Sequence, residues 1–196
     1  MKKRVAVFVS GGGTNLQVLL DAQQNGTLRS GKIALVISSK ADVFALERAK
    51  KAGVPAIAVP RKELGVEGFE ARTLELLDEY QIDYMVTAGF LTIFSEDFIA
   101  RFPNKMINVH PALIPAFCGK GFYGLRVHQA ALERGVKLTG ATVHFVNEIC
   151  DGGPIILQKA VEVLPGDTPE ILQRRVMEQA EWVLLPQALE LICSAN

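Results

Sequence analysis

Long apolar runs, an excess of either charge and closely spaced cysteines are all missing from this chain of 196 residues. The longest apolar stretch, Tyr84 to Phe94, is broken by Thr87, Gly89 and Thr92. It falls well short of the roughly 18 residues that a membrane-spanning helix needs. Lysine plus arginine number 21, and so do aspartate plus glutamate. No basic excess is therefore present to displace counterions from a nucleic-acid backbone, although a local pocket for one small anion is still allowed. Cys118, Cys150 and Cys193 form no CxxC pair, which implies neither a disulfide framework nor a zinc site. HxH and HExxH are lacking too, so no metal is expected, and the cytoplasm is the default compartment. The N-terminus, MKKRVAVFVSGGG, sets three basic residues before an apolar run. That run spans only Val5 to Val9 and ends in glycines, so it reads as a strand and not as a signal peptide.

What is present is enough apolar residue for a core, 49% of the chain, arranged as alternating strand and helix signals. Val5 to Val9, Ile33 to Ser38, Ala56 to Val59 and Asp83 to Thr87 read as short, nearly continuous apolar strands. Between them, Thr14 to Gln24, Asp42 to Lys51 and Phe69 to Tyr80 carry helical spacing. Further strands are expected near Ile107 to Val109, Thr139 to Asn147 and Ile155 to Val163, with helices at Leu125 to Arg134 and Pro169 to Ile192. This order predicts an α/β fold: a Rossmann-like, mostly parallel twisted sheet with helices on both faces. No repeat or linker interrupts it. One domain over residues 1–196 is expected, with two lobes meeting near residue 100. Ligands of such sheets bind beyond the carboxyl ends of the strands, which directs attention to the loops after Val9, Thr87 and Val109.

Three segments there carry chemistry. In Ser10-Gly11-Gly12-Gly13-Thr14-Asn15 a strand turns through glycines into a helix, an arrangement whose free N–H groups suit a phosphate. GxGxxG fails because position 16 is Leu, and no GK[ST] follows, so a single monophosphate fits better than a dinucleotide or a triphosphate. A bare glycine turn accounts for the segment equally well. CGKG at 118–121 follows no strand and reads as a flexible loop. In Asn108-Val109-His110-Pro111 the first and third residues share one side of a strand. A carboxamide beside an imidazole can stabilise and protonate an oxygen that turns negative in acyl transfer; two polar residues closing a strand are the alternative. Asp151-Gly152-Gly153-Pro154 offers either a carboxylate for His110 or an ordinary turn. His128 falls on a surface helix and His144 in a strand, both with structural roles.

Together SGGGTNLQ (10–17), AGFLTIFS (88–95), INVHPALIP (107–115) and GATVHFVNEICDGGPIILQ (140–158) resemble the folate-dependent phosphoribosylglycinamide formyltransferases, from about residue 4 to about residue 190. The resemblance implies transfer of a formyl group from 10-formyltetrahydrofolate, as co-substrate, to the amine of 5-phosphoribosylglycinamide in purine (IMP) biosynthesis. It implies small-molecule partners and no metal, nucleic acid or membrane, in a monomer or homodimer. A phosphate-binding half at about 1–100 and a folate and catalytic half at about 101–196 follow from it. Gly13, Thr14, Asn15, Leu16 and Gln17 would hold the ribose phosphate, and Glu181 the ribose hydroxyls. Leu91, Thr92, Ile93 and Phe94 would line the pterin pocket. Asn108 would hold the formyl oxygen, His110 would serve as general acid, and Asp151 would raise the basicity of His110.

The chain departs from the family pattern at AFCGKGFYGLRV (116–127), which reads as a longer loop, and at Thr92, where many members carry Arg. No basic residue for the folate is clearly aligned; Arg61, Lys62 and Arg72 are the choices. The rival is formyltetrahydrofolate deformylase, which uses the same Asn-His-Asp set on water but carries an additional N-terminal domain and lacks the phosphate loop. Methionyl-tRNA formyltransferase would add a C-terminal tRNA-binding domain. A non-catalytic folate- or nucleotide-binding module would have no need to keep all three polar residues.

Overall fold

The computed structural model describes residues 1–195. Its seven strands are β1 (Lys3–Val9), β2 (Gly31–Ser38), β3 (Ala56–Ala58), β4 (Tyr84–Thr87), β5 (Met106–His110), β6 (Leu138–Phe145) and β7 (Ile155–Glu162). They form one sheet in the order β3-β2-β1-β4-β5-β6-β7. The first five run parallel, and β6 and β7 are antiparallel to their neighbours. The helices are α1 (Thr14–Gln24), α2 (Phe44–Lys51), α3 (Arg61–Glu79), α4 (Glu96–Ala100), α5 (Leu125–Arg134), α6 (Pro169–Val176) and α7 (Trp182–Ser194), with a π turn over Met177–Glu181 joining the last two.

Alternation along β1 separates two cores. Val5, Val7 and Val9 pack with apolar residues of α1, α2, α5, α6 and α7 on one face. Ala6 and Phe8 pack with Phe69, Leu76, Leu77 and Phe98 of α3 and α4 on the other. Both faces are covered, so the strands need no polar alternation, and this is why they read as continuous apolar runs. The sheet order reverses at β1, which has β2 on one side and β4 on the other. The chain leaves β1 and β4 in different directions and opens a crevice at their carboxyl ends.

Three expectations are corrected. α3 begins at Arg61 and not at Phe69, because Gly65 (φ 70°) joins a first turn to the amphipathic body across a kink. α2 begins two residues late, since Val43 before it is extended. The predicted helix from Pro169 is one helical run to Ser194 but holds the π turn, just ahead of Pro186, whose missing N–H leaves an upstream carbonyl without its helical donor. The short α4 has no sequence prediction. It is capped by Ser95, whose Oγ accepts from Phe98 N–H and donates to Glu70 Oε2.

Phe98 stacks on Phe94 with centroids 4.3 Å apart, and Phe94 meets Phe8 edge-on at 5.3 Å. This aromatic stack fixes the loop after β4 to the sheet. Phe98→Ala is expected to lower stability by about 3–5 kcal/mol through lost burial and an unfilled cavity, read as an earlier midpoint in urea unfolding.

Candidate active site

A cavity of about 810 Å³ lies at the carboxyl ends of β1, β4 and β5, large enough for more than one small molecule. At one end is the glycine turn. Gly13 caps α1 in the left-handed conformation (φ 73°), and a side chain there would collide with Ala45, 2.6 Å from the Cβ position. Thr14 and Asn15 border the cavity, and the first-turn amides of α1 have no helical acceptor. Asn15 Nδ2 donates to Glu181 Oε2 at 2.9 Å, 166 residues away, while its own Oδ1 is buried without a partner. The π turn brings Glu181 to this position. Burial pushes the Glu181 carboxyl up from its ordinary value, and the Asn15 hydrogen bond offsets part of that rise.

The centre is built on β5. In the sheet register Asn108 pairs with Thr87 on one side and His144 on the other, and His110 pairs with Thr142. Thr87 Oγ1 donates to Asn108 Oδ1 at 2.7 Å. His144 Nδ1 lies 2.8 Å from the Phe145 carbonyl, and Asn108 Nδ2 lies 3.3 Å from His144 Nε2. A carbonyl only accepts, so Nδ1 of His144 carries a proton, while its Nε2 faces both the Asn108 amide and the Asp151 carboxylate. The Thr87 hydroxyl on Oδ1 turns the N–H side of the carboxamide towards His144.

Asp151 stands between two imidazoles. Its Oδ2 is 3.5 Å from His110 Nδ1 and its Oδ1 is 3.6 Å from His144 Nε2. Gly119 N–H donates to Oδ2 at 2.8 Å. Burial works to raise the Asp151 pKa, but the His144 hydrogen bond, the charge of His110 and the Gly119 N–H together hold it below the ordinary carboxylate value. The turn that presents it depends on Gly153, where a Cβ would sit 1.8 Å from the Phe145 carbonyl oxygen. His110 Nε2 is 2.8 Å from the Phe117 carbonyl. Beyond His110 the chain is pinned by Thr142, whose Oγ1 donates to Ala112 O and accepts from Ile114 N–H.

Leu91 and Ile93 also border the cavity, with 62% and 64% of their surface exposed, and Phe90 joins them. Ser10 Oγ accepts from Leu91 N–H at 3.2 Å, linking this loop to the glycine turn.

Of the residues named from sequence, Thr14, Asn15, Leu91, Ile93, Asn108, His110, Asp151 and Glu181 come together around the cavity. Others do not present side chains to it. Leu16 is in the core, at the position where α1 meets the sheet. Gln17 spends its N–H on Gly13 O and its side chain on Asp21 and Arg48. Phe94 belongs to the aromatic stack, and Thr92 does not border the cavity. Arg72 is ion-paired with Glu75 on the outer face of α3, and Arg61 and Lys62 do not border the cavity either.

Residues 119–124, within the longer loop read at 116–127, form a wall of the cavity. One feature escaped the sequence. His128 is fully buried, not on a surface, and neither ring nitrogen has a partner. Its burial was legible in the helical stripe that it shares with Val127 and Ala131.

A carboxamide and an imidazole facing one cavity, with a charged carboxylate behind the imidazole, define a site for acyl-type transfer. Residues 3–189 match the formyl transferase family, and the chain belongs to that family. It is 39% identical to a chloroplastic phosphoribosylglycinamide formyltransferase of Arabidopsis thaliana, over 98% of this chain and 66% of that one. It is 44% identical to the human trifunctional purine biosynthetic protein adenosine-3, over 100% of this chain and 19% of that one. The chain thus spans about two thirds of the plant relative and about a fifth of the human one. A solved glycinamide ribonucleotide transformylase of Symbiobacterium toebii superposes with TM-score 0.90 at 42% identity, over 98% and 88% of the two chains. A formyltetrahydrofolate deformylase of Pseudomonas syringae reaches TM-score 0.87 at 30% identity, over 98% and 62%. No helix among the described residues is long and apolar enough to cross a membrane.

Burial, with a smaller contribution from His110, lowers the His128 pKa from 6.5 to about 4. Between these values the unfolded chain binds a proton at His128 and the folded chain does not. Stability therefore rises with pH across this window and is lost as pH falls from 6.5 towards 4, by at most about 3 kcal/mol from this residue. Thermal unfolding followed from pH 7 to pH 4 is expected to show that decline, and His128→Phe is expected to flatten it.

Proposed function

We propose that this protein transfers the formyl group of 10-formyltetrahydrofolate to the primary amine of 5-phosphoribosylglycinamide, a step of purine biosynthesis. The observation that carries this reading is the continuity of one cavity. It joins Thr14, which follows the glycine turn, and the Asn15–Glu181 pair to Asn108, His110 and Asp151 and to the apolar Leu91–Ile93 wall. The two outer surfaces each suit one reactant. Free first-turn amides and Thr14 favour a phosphate, and the Glu181 carboxyl can accept from ribose hydroxyls. Leu91 and Ile93 with Phe90 offer an apolar wall for a flat heteroaromatic ring of a folate.

The chemistry then falls between them. As the amine adds to the formyl carbon, the formyl oxygen gains negative charge, and Asn108 Nδ2 and His110 face it. His110 Nε2 reaches that oxygen by exchanging the Phe117 carbonyl for it. Asp151 stays ionised and balances the imidazolium form of His110 across 3.5 Å. The new carbon–nitrogen bond replaces the one to the folate nitrogen. The amine loses a proton and the folate nitrogen gains one, with a water held by Asp151 as the carrier. The three free cysteines fit a reducing compartment such as the cytoplasm.

Hydrolysis of the same donor, the deformylase reaction, would use the same centre with water as acceptor. It gives no use to the glycine turn or to the Asn15–Glu181 pair. Consumption of 10-formyltetrahydrofolate, followed by ultraviolet absorbance, is expected only when glycinamide ribonucleotide is present; consumption without it would establish the hydrolase instead. His110→Ala is expected to lower kcat on the order of 10²–10⁴-fold while both KM values change little. An equal loss in binding, measured by titration, would remove the acid role from His110.

A further inference from the structure

The glycine turn is held more firmly than a chain reversal requires. The carbonyl oxygens of Gly11, Gly12 and Gly13 each have their own donor: Ala45 N–H at 3.2 Å, Arg48 Nε at 2.8 Å and Gln17 N–H at 2.9 Å. In a trans peptide the C=O and the following N–H point to opposite sides. Tying three successive oxygens to α1 and α2 turns the N–H groups of Gly12, Gly13 and Thr14 the other way. Two of these donors are backbone amides. The third, on the Gly12–Gly13 peptide, is a side chain 36 residues along the chain.

That side chain is itself immobilised. Arg48 Nη1 donates to Gln17 Oε1 at 2.9 Å, and Gln17 Nε2 donates to Asp21 Oδ1 at 2.8 Å. The guanidinium stands 4.8 Å above the Phe44 ring. The peptide it holds joins two glycines, the residue type that least resists reorientation because it accepts either sign of φ. We infer that Arg48 is a positioning residue for anion recognition, locking the Gly12–Gly13 peptide so that Gly13 N–H faces the phosphate of the acceptor and the Gly12 carbonyl faces away. This rests on the reading above that the acceptor is phosphorylated. Without the lock the peptide is free to flip, and a donor to the anion becomes an acceptor that repels it. The loss falls on binding of the phosphate, while the centre at His110 is untouched.

Arg48→Met keeps an apolar stem over Phe44, and Arg48→Lys keeps the charge without the planar fork. Steady-state kinetics would compare glycinamide ribonucleotide with its dephosphorylated riboside. For Arg48→Met the KM for the ribonucleotide is expected to rise about tenfold or more. Its kcat, the folate KM and the kcat/KM for the riboside are expected to stay within about threefold. Arg48→Lys is expected to fall between, because a cation alone does not orient the peptide. A ribonucleotide KM within about twofold of the unsubstituted protein, or an equal loss on the riboside, would overturn the lock. Should Arg48→Met melt early, Arg48→Lys decides, and an unchanged ribonucleotide KM there would also overturn it. An unsubstituted protein that does not prefer the ribonucleotide over the riboside would overturn the phosphorylated-acceptor reading, and the lock with it.

Discussion

Most of the polar geometry in the cavity follows from the position of β5, where the parallel part of the sheet meets the antiparallel part. A strand with a parallel neighbour on one side and an antiparallel neighbour on the other draws side chains from two different chain directions into one row. Thr87, Asn108 and His144 form that row. The threonine hydroxyl donates to the amide oxygen, the amide nitrogen faces the imidazole at 3.3 Å, and the imidazole Nδ1–H donates to the Phe145 carbonyl. The Thr87 hydroxyl on its Oδ1 thus turns the N–H side of Asn108 towards His144. A slip of one residue would turn Asn108 and His110 to the other face of the sheet. The packing of Ile107 and Val109 in the core opposes that slip.

The antiparallel pair also places the carboxylate. β6 and β7 are consecutive, so the connection between them returns to the same end of the sheet and carries Asp151 back over β5. The fit is close, since Gly153 has no room for a side chain beneath the Phe145 carbonyl. Asp151 adopts a positive φ of 56°, which Asp tolerates better than most residues. The loop at 116–124 is then held from both sides, by Gly119 N–H on Asp151 and by the Phe117 carbonyl on His110. The loop, His110 and Asp151 are thus one hydrogen-bonded unit.

The succession of strands and helices along the chain, the helices on both faces and the three loops that carry the site were legible because they rest on local signals: apolar runs, 3.6-residue spacing and glycine punctuation. The motifs Asn108-Val109-His110-Pro111 and Asp151-Gly152-Gly153-Pro154 were legible as chemistry but not as neighbours, since only the β5–β6 register brings them together. Glu181 meets Asn15 across 166 residues, with a π turn between two helices that no spacing rule marks. Phe94 and Gln17 share their motifs with true lining residues. Alternation within a loop, and competition from Arg48 and Asp21, turn them elsewhere. His128, expected on a surface helix, lies instead on the stripe that α5 turns to the interior beside Val127 and Ala131.

Two buried carboxyl groups border the same cavity, and their surroundings drive them apart. Asp151 is surrounded by two imidazoles and a backbone N–H, which more than offset its burial and keep it ionised. Glu181 has one amide donor against nearly complete burial, and its pKa rises. Environment, not residue type, therefore sets their roles. The fixed negative charge of Asp151 stands 3.5 Å behind His110 at the centre of the cavity. Burial disfavours the charged form of Glu181 beside the first turn of α1, which lessens its repulsion of an anion that the free amides there would attract. The cavity in this way joins the free amides of α1, a charged centre and an apolar wall. These are the three surfaces that a phosphorylated amine and a folate meeting at His110 would need.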